Sequence, residues 1–288
     1  ATCTRPATLK FEDDNYNLTL DWKATDSILL YAATRKGYKS GSFNLIVVDP
    51  AIASYDPEII EDIEIGLKAD WSLGNVPIRT NIAYFDADYT DIQTSFTVVD
   101  AVLGTVAGVT LNRDPVTGAS SEANIKGFEV EVLAKPVDWL ELSGFYSRVE
   151  GEYTQFTNIN SGTDLGGEDI AGITPESFGF TANADVPLNG PFDALKATAS
   201  YFWRDALTSN SQSAVTTVPP DEYEQIDARI SLVNILDSGA DFAIFGRNLG
   251  DQEDCTTNTL IPGQLTTDCN EGSTYGVEFK YSFGSERN

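Results

Sequence analysis

Ile63-Glu64-Ile65-Gly66-Leu67-Lys68-Ala69-Asp70-Trp71 is the stretch on which the fold turns. Ile63, Ile65, Leu67, Ala69 and Trp71 are apolar; the residues between them are charged or glycine. An extended chain sends successive side chains to opposite faces, whereas a helix sets i and i+2 on different sides. The stretch is therefore a strand with one apolar face and one polar face. The pattern returns at Phe128, Val130, Val132 and Ala134 against Glu129, Glu131 and Leu133. It returns at Val277, Phe279, Tyr281 and Phe283 against Glu278, Lys280 and Ser282, and at Tyr16, Leu18, Leu20 and Trp22 against Asn17, Thr19 and Asp21.

Working outward, the alternation predicts strands near 15–23, 27–37, 61–71, 78–97, 122–134, 138–150, 176–186, 195–205, 223–235, 240–248 and 274–283, with a weaker one near 5–11. Gly74, Pro77, Pro136, Pro187, Pro191 and Gly239 punctuate the connections. Residues 24–26, 72–77, 135–137, 187–194 and 236–239 read as short turns. Residues 38–60, 98–121, 151–175, 206–222 and 249–273 read as long loops. Strict short–long alternation is what an up-and-down membrane barrel shows, and a β-sandwich has no reason to keep it. The fold class expected is all-β, an antiparallel transmembrane barrel with 11–12 strands present. Trp22, Trp71 and Trp139 lie beside short turns and Trp203 near a long loop, which suits girdles at two membrane interfaces; Phe283 joins them at the end of the last strand. The competing reading packs the four Trp in a soluble core.

The 288 residues hold 18 Lys and Arg against 44 Asp and Glu, a net charge of −26. Such a chain repels a phosphate backbone, so nucleic acid is excluded as a partner. It also lacks the basic segments that bind anionic lipid. There is no His, which removes the commonest general base and metal ligand, the Ser-His-Asp and Cys-His nucleophiles and, with three Cys, a Cys/His zinc site. No metal site and no cofactor are expected. Without a Met, the chain is expected to be processed or part of something longer. No apolar run approaches the roughly 20 residues of a membrane helix, but a barrel crosses by strands.

Several segments then carry a resemblance. Tyr31-Ala32-Ala33-Thr34-Arg35-Lys36-Gly37-Tyr38-Lys39-Ser40-Gly41-Ser42-Phe43-Asn44 resembles a segment of TonB-dependent outer-membrane receptors. So do Tyr55-Asp56-Pro57-Glu58 with Ile63 to Lys68, Ala83-Tyr84-Phe85 with Tyr89 to Gln93, and Ile125 to Glu131. Gly246-Arg247-Asn248-Leu249-Gly250-Asp251 resembles the signature before that family's last long loop, and Tyr275 to Phe283 its terminal strand. They occur in the family's order over nearly the whole chain. The resemblance implies a barrel of about 22 strands with a plugged lumen, of which this chain is the C-terminal part. Residues 1–283 would be that portion, residues 284–288 a short tail, and the plug would lie outside this chain. It further implies a Gram-negative outer-membrane location, outer-membrane lipid, the TonB complex and the rest of the barrel as partners, and import of a scarce bulky nutrient, most often a ferric siderophore. No covalent chemistry is involved, so the chain is not expected to be an enzyme.

Under this orientation Cys255 and Cys269 share an external loop where oxidation is possible, and a disulfide is expected there, two free thiols being the alternative. Cys3 is left over. Ligand contacts are sought among aromatic and basic residues at the outer strand ends: Tyr38, Phe43, Arg113, Phe156 and Arg204. Loop packing or rim anchoring is the plain alternative for each. Acid pairs such as Glu129/Glu131, Glu61/Glu64 and Asp86/Asp88 read as a solvated lumen wall rather than a glycosidase pair. Asp164, Glu168 and Asp169 do not have EF-hand spacing and read as an acidic loop, a weakly held loop cation being the alternative. The apolar run 95–111 reads as a hairpin above the membrane around Gly104 and Gly108, or else as a lid. The acidity slightly favours a neutral or cationic cargo. Two other functions remain: a passive or structural barrel built from this chain or two copies of it, and a soluble acidic adhesin or lectin domain.

Overall fold

A computed structural model describes residues 8–45, 47, 49–99, 104, 106–158, 162–209, 217–218, 221–261 and 264–282. Among these, eleven strands form one sheet in chain order, each antiparallel to the next: β1 (Tyr16–Thr25), β2 (Ile28–Lys39), β3 (Glu58–Leu73), β4 (Val76–Thr90), β5 (Glu122–Val137), β6 (Leu140–Gln155), β7 (Glu176–Pro187), β8 (Ala194–Arg204), β9 (Tyr223–Val233), β10 (Ala240–Arg247) and β11 (Thr274–Tyr281). The short and long connections alternate as expected. The sheet is open, with β1 and β11 as its edges.

The register carries the two-face pattern across the sheet. Trp22, Leu30, Leu67, Ile82, Val130, Tyr146, Phe178 and Trp203 are successive partners from β1 to β8. One residue away on the opposite face, the same row reads Asp21, Tyr31, Gly66, Ala83, Glu129, Ser147, Ser177 and Arg204. The row leaves β1 near the short-turn end and reaches β8 near the long-loop end. That stagger is what tilted barrel strands require.

The apolar face has no cover from the chain: Leu20 is 73% exposed, Ile63 62% and Val277 71%. Burying one such side chain is worth about 1.5–3 kcal/mol, so a surface this apolar demands a non-aqueous neighbour. On the loop side the outer face turns polar. Arg148 there bonds Glu150 and Glu176 at 3.0 and 3.1 Å, and Lys126 lies 3.8 Å from Glu150. The row of Tyr84 and Phe128 continues across the sheet into Arg148 and Glu176, so the charges begin at that level, where the strands rise beyond an apolar slab.

Four rings on the polar face lie across glycines of the neighbouring strand: Tyr31 on Gly66, Phe85 on Gly127, Phe145 on Gly179 and Phe245 on Gly276. A Cβ on Gly66 would sit 2.3 Å from Tyr31, and one on Gly276 would sit 2.4 Å from Phe245. The missing side chain is what lets each ring lie against the wall. On the apolar face Phe180 and Tyr275 lie similarly on Gly144 and Gly246.

Two boundaries differ from expectation. The strand expected over 78–97 ends at Thr90, because Asp91 takes a left-handed backbone, φ 57°. A separate hairpin then pairs Thr94–Val99 with Val106–Leu111, in keeping with the hairpin reading of this apolar run. Residues 8–11 of the weak strand expected over 5–11 are not in a strand; residues 5–7 lie outside the described residues, as do Cys3, Phe283 and the tail 284–288.

Candidate functional site

The polar face carries cross-strand ion pairs and charged hydrogen bonds. Arg35 and Asp62 are register partners on β2 and β3. Arg35 Nε donates to both Asp62 oxygens at 3.0 Å, its Nη2 also reaches Asp62, and Nη2 bonds Glu64 Oε2 at 2.5 Å. The Tyr31 hydroxyl donates to Glu64 Oε1 at 2.7 Å. Toward the short turns Arg79 pairs with Asp70 at 2.7 Å, Asn81 donates to Glu131 at 3.0 Å and Lys196 pairs with Asp185 at 3.1 Å. Between these groups a hollow of about 400 Å³ is floored by Gly179 and walled by Leu133, Phe145 and Phe202. Sequence reading missed the Arg35 cluster. Alternation assigns faces, but only cross-strand register brings residues 27 apart into contact.

Above β2–β6 the long loops make a cap with its own core: Val47, Ile52, Phe96, Val109, Leu111, Phe156 and Leu165 are buried together, with Tyr153 packed against them. Phe156, expected to touch ligand, is 1% exposed. Its ring packs on Tyr153 at 4.6 Å and on Phe96 at 6.1 Å. That is a correction: the loops close over this ring because an aromatic surface of that size gains more from burial than from water, and no face remains for a ligand. Around this core polar side chains satisfy loop backbone. Asn44 donates to the carbonyls of Ile52 and Thr110 at 2.8 Å each. Asn112 donates to Asp56 O at 2.7 Å, and Gln93 to Ser40 O at 3.1 Å and Asp56 O at 3.2 Å. Phe43 is half-buried in a two-residue ladder facing Ser54. Tyr38 is half-buried opposite Ile59. Arg113 bonds Asp91 at 2.5 Å and lies 3.4 Å from Asp56. Burial pushes the Asp91 carboxyl above the usual carboxylate range, with Arg113 opposing. Its Oδ1 has no partner among the described residues.

Above β8–β11 the ties are polar and covalent. Arg204 donates to Asp254 Oδ1 at 2.6 Å and to the carbonyls of Asp205 and Asp221 at 3.1 and 3.0 Å, and its guanidinium lies 5.7 Å over Tyr223. It anchors two loops to a strand end. Cys255 and Cys269 are disulfide-bonded, closing a hairpin of Cys255–Ile261 with Gln264–Cys269. Asn248 is buried, and its amide donates to the carbonyls of Gln252 and Glu271 at 2.8 and 3.3 Å. Arg113, Tyr38 and Phe43 thus share one cap, Arg204 belongs to the other, and the five candidates do not converge.

Trp22, Trp71 and Trp139 are 62%, 49% and 44% exposed beside short turns, and Trp203 stacks on Phe178 at 5.2 Å near the loop end of β8. In the acidic loop Asp164 accepts the Gly166 N–H at 2.9 Å, closing its own turn. Among the described residues no group of three Cys, Asp or Glu is placed to hold a metal ion. The site offers shaped, hydrogen-bonding surface.

The chain is similar in structure to the ferric yersiniabactin uptake receptor FyuA from Yersinia pestis, with a TM-score of 0.69 and 14% identity over 93% of this chain and 37% of that one. It is similar to BauA, the ferric preacinetobactin receptor from Acinetobacter baumannii, at TM-score 0.63 and 17% identity over 92% of this chain and 35% of that one. It is also similar to the copper transporter OprC, at TM-score 0.63 and 12% identity over 93% and 39%. The chain spans little more than a third of the length of these structures, and the likeness is one of fold. The sequence profile of the TonB dependent receptor-like β-barrel matches residues 4–249. With an open antiparallel sheet, an uncovered apolar face and a family profile over most of its length, the chain belongs to the TonB-dependent receptor-like β-barrel family.

Proposed function

We propose that the chain is the C-terminal part of an outer-membrane receptor barrel in a Gram-negative bacterium. The receptor captures a scarce, bulky nutrient, a ferric siderophore being the cargo class, and imports it with energy delivered by TonB to a plug. The direction of the two sheet edges carries the partial-barrel reading. β1 leads into a short turn and β11 leaves a long loop, so both run from the loop side to the turn side. An antiparallel seam between them is impossible, within one copy or between two copies standing side by side in one membrane. Antiparallel closure takes an odd number of further strands, and another eleven meet the roughly 22 of plugged transporters. The similarity to the ferric yersiniabactin uptake receptor and the ferric preacinetobactin receptor supports the cargo class. The copper transporter marks its limit, since the same fold carries a different cargo.

The test is the native polypeptide. Tryptic peptides from outer-membrane fractions are expected to extend upstream of Ala1 in a polypeptide roughly twice this length or longer, as about 22 strands require. Deleting its gene is expected to abolish TonB-dependent uptake of radiolabelled ferric siderophore. A mature chain of 31.2 kDa would overturn the import reading and leave a pore.

A further inference from the structure

Asp91 stands where β4 ends and the hairpin of the first cap begins. Three other stretches meet it there. Asp56 lies just before β3, Arg113 on the return from the hairpin, and Glu122 at the start of β5. Backbone bonds knit the same root: Ile92 N–H donates to Ser121 O, and Ser121 N–H to Asn112 O, both at 3.0 Å. Glu58, opening β3, accepts the Gln93 N–H at 2.8 Å. The Asp91 side chain is only 9% exposed. Arg113 bonds its Oδ2 at 2.5 Å and also lies 3.4 Å from Asp56. Its Oδ1 is fully enclosed and meets no donor among the described residues. Glu122 accepts the Ser120 hydroxyl at 2.6 Å.

The charges at this root do not balance. With Asp91 ionised, the Asp91, Asp56 and Glu122 carboxylates act on one another and share the single guanidinium of Arg113. Oδ1 is then a buried acceptor of negative charge with nothing to accept from, which is costly away from water. A proton cancels the charge where it is least solvated and eases the repulsion from Asp56 and Glu122. Burial, opposed by Arg113 and seconded by those two acids, raises the carboxyl above its ordinary value. Its contribution to stability is therefore complete below the ordinary Asp pKa and is lost as pH rises through the raised one. An ordinary Asp–Arg pair has the opposite sign and weakens on acidification.

We propose that the Asp91 carboxyl is a proton-operated latch at the root of the first cap, holding the hairpin to β4 and β5 more firmly when protonated than when ionised. Acid tightens this cap and neutral solution loosens it. That the cap faces the external medium rests on the outer-membrane reading; the latch itself does not.

The test is hydrogen exchange of the full-length receptor in detergent, from about pH 7 down to about pH 4, read as protection relative to the intrinsic rate at each pH. In the wild type, protection across 92–98 and 106–121 is expected to rise several-fold on acidification. Asp91→Asn keeps the shape without the charge and tolerates the left-handed backbone of φ 57°. It should already show the acid level of protection at neutral pH and lose the rise. Arg113→Gln removes the opposing cation and should move the rise to higher pH, which tests the latch even if Asp91→Asn fails to fold. Heat-modifiable gel migration establishes that each variant is folded. Wild-type protection that falls or stays level on acidification would overturn the latch, because Asp91 and Arg113 would then be an ordinary ion pair. A rise kept in full by Asp91→Asn would overturn it as well, by assigning the proton to another group. The exchange needs neither TonB nor cargo, so a receptor that shows the Asp91-dependent rise yet imports no ferric siderophore would sink the import reading alone.

Discussion

The two loop caps solve the same problem by different physics. Over β2–β6 the loops contain enough apolar residues to bury a core around Phe156, Phe96 and Leu165, and they need no covalent tie. Over β8–β11 the described loop residues add none to that core; cohesion there comes from the Cys255–Cys269 disulfide, Arg204 and the Asn248 amide. A cap held by apolar burial is cooperative, since each side chain depends on the rest. A cap held by point ties is modular, and each tie can be cut alone.

The largest expected effect is on the first cap. Phe156→Ala removes its most enclosed ring and is expected to cost about 3–5 kcal/mol of cap stability. Protease sites across 40–57, 91–121 and 156–175 should open together while the barrel keeps its heat-modifiable migration. Opening confined to 156–175 would show that the cap is modular after all. The disulfide comes next. Replacing Cys255 and Cys269 by Ala is expected to release about 3 kcal/mol of loop restraint on the chain-entropy model. Cleavage should rise within 249–273 only, and a change in the first cap would break the distinction.

The smallest effect is a matter of pH. The Ser273 backbone N–H, 2.8 Å away, holds the Asp251 carboxyl below the usual carboxylate range. Because the folded value is lowered, the tie is complete above the ordinary Asp pKa and is lost as pH falls below that range through the depressed one. The protection of the Ser273 amide against exchange, relative to its intrinsic rate at each pH, should therefore fall on acidification in the wild type. Asp251→Asn, which tolerates the left-handed backbone of φ 53°, should lose that step; an unchanged step would assign it to another group.

The strands were legible because each apolar face must meet lipid, and that requirement writes period two into about ten residues at a time. Ile63 to Trp71 needs no knowledge of its neighbours to be read this way. Loop contacts carry no such requirement. Phe156 and Phe43 look alike beside polar loop residues, yet one is enclosed and the other half-buried, and the difference arises from segments up to 60 residues away. Arg113 and Arg204 were legible as cations at strand ends, but not that each had a carboxylate waiting across a loop. The same holds for Arg35 with Asp62, whose meeting depends on which rung of β2 faces which rung of β3.

The ring-on-glycine pairs bear on how that alignment is chosen during assembly. β2 and β3, β4 and β5, β6 and β7, and β10 and β11 are each joined by a long loop, and every one of those seams carries such a pair. Tight turns set the alignment of the other hairpins, as at Gly74, where φ is 62°. A long loop sets nothing, and a slip of two residues would keep every side chain on its proper face. It would, however, drive Tyr31 or Phe245 into a residue with a side chain and leave a bare notch behind. The glycines therefore act as keyways, one for each flexible join, that reject the slipped arrangements hydrophobic patterning alone would accept. The β8–β9 seam, also joined by a long loop, has no such notch; there Arg204 reaching over Tyr223 is the one ring contact in register.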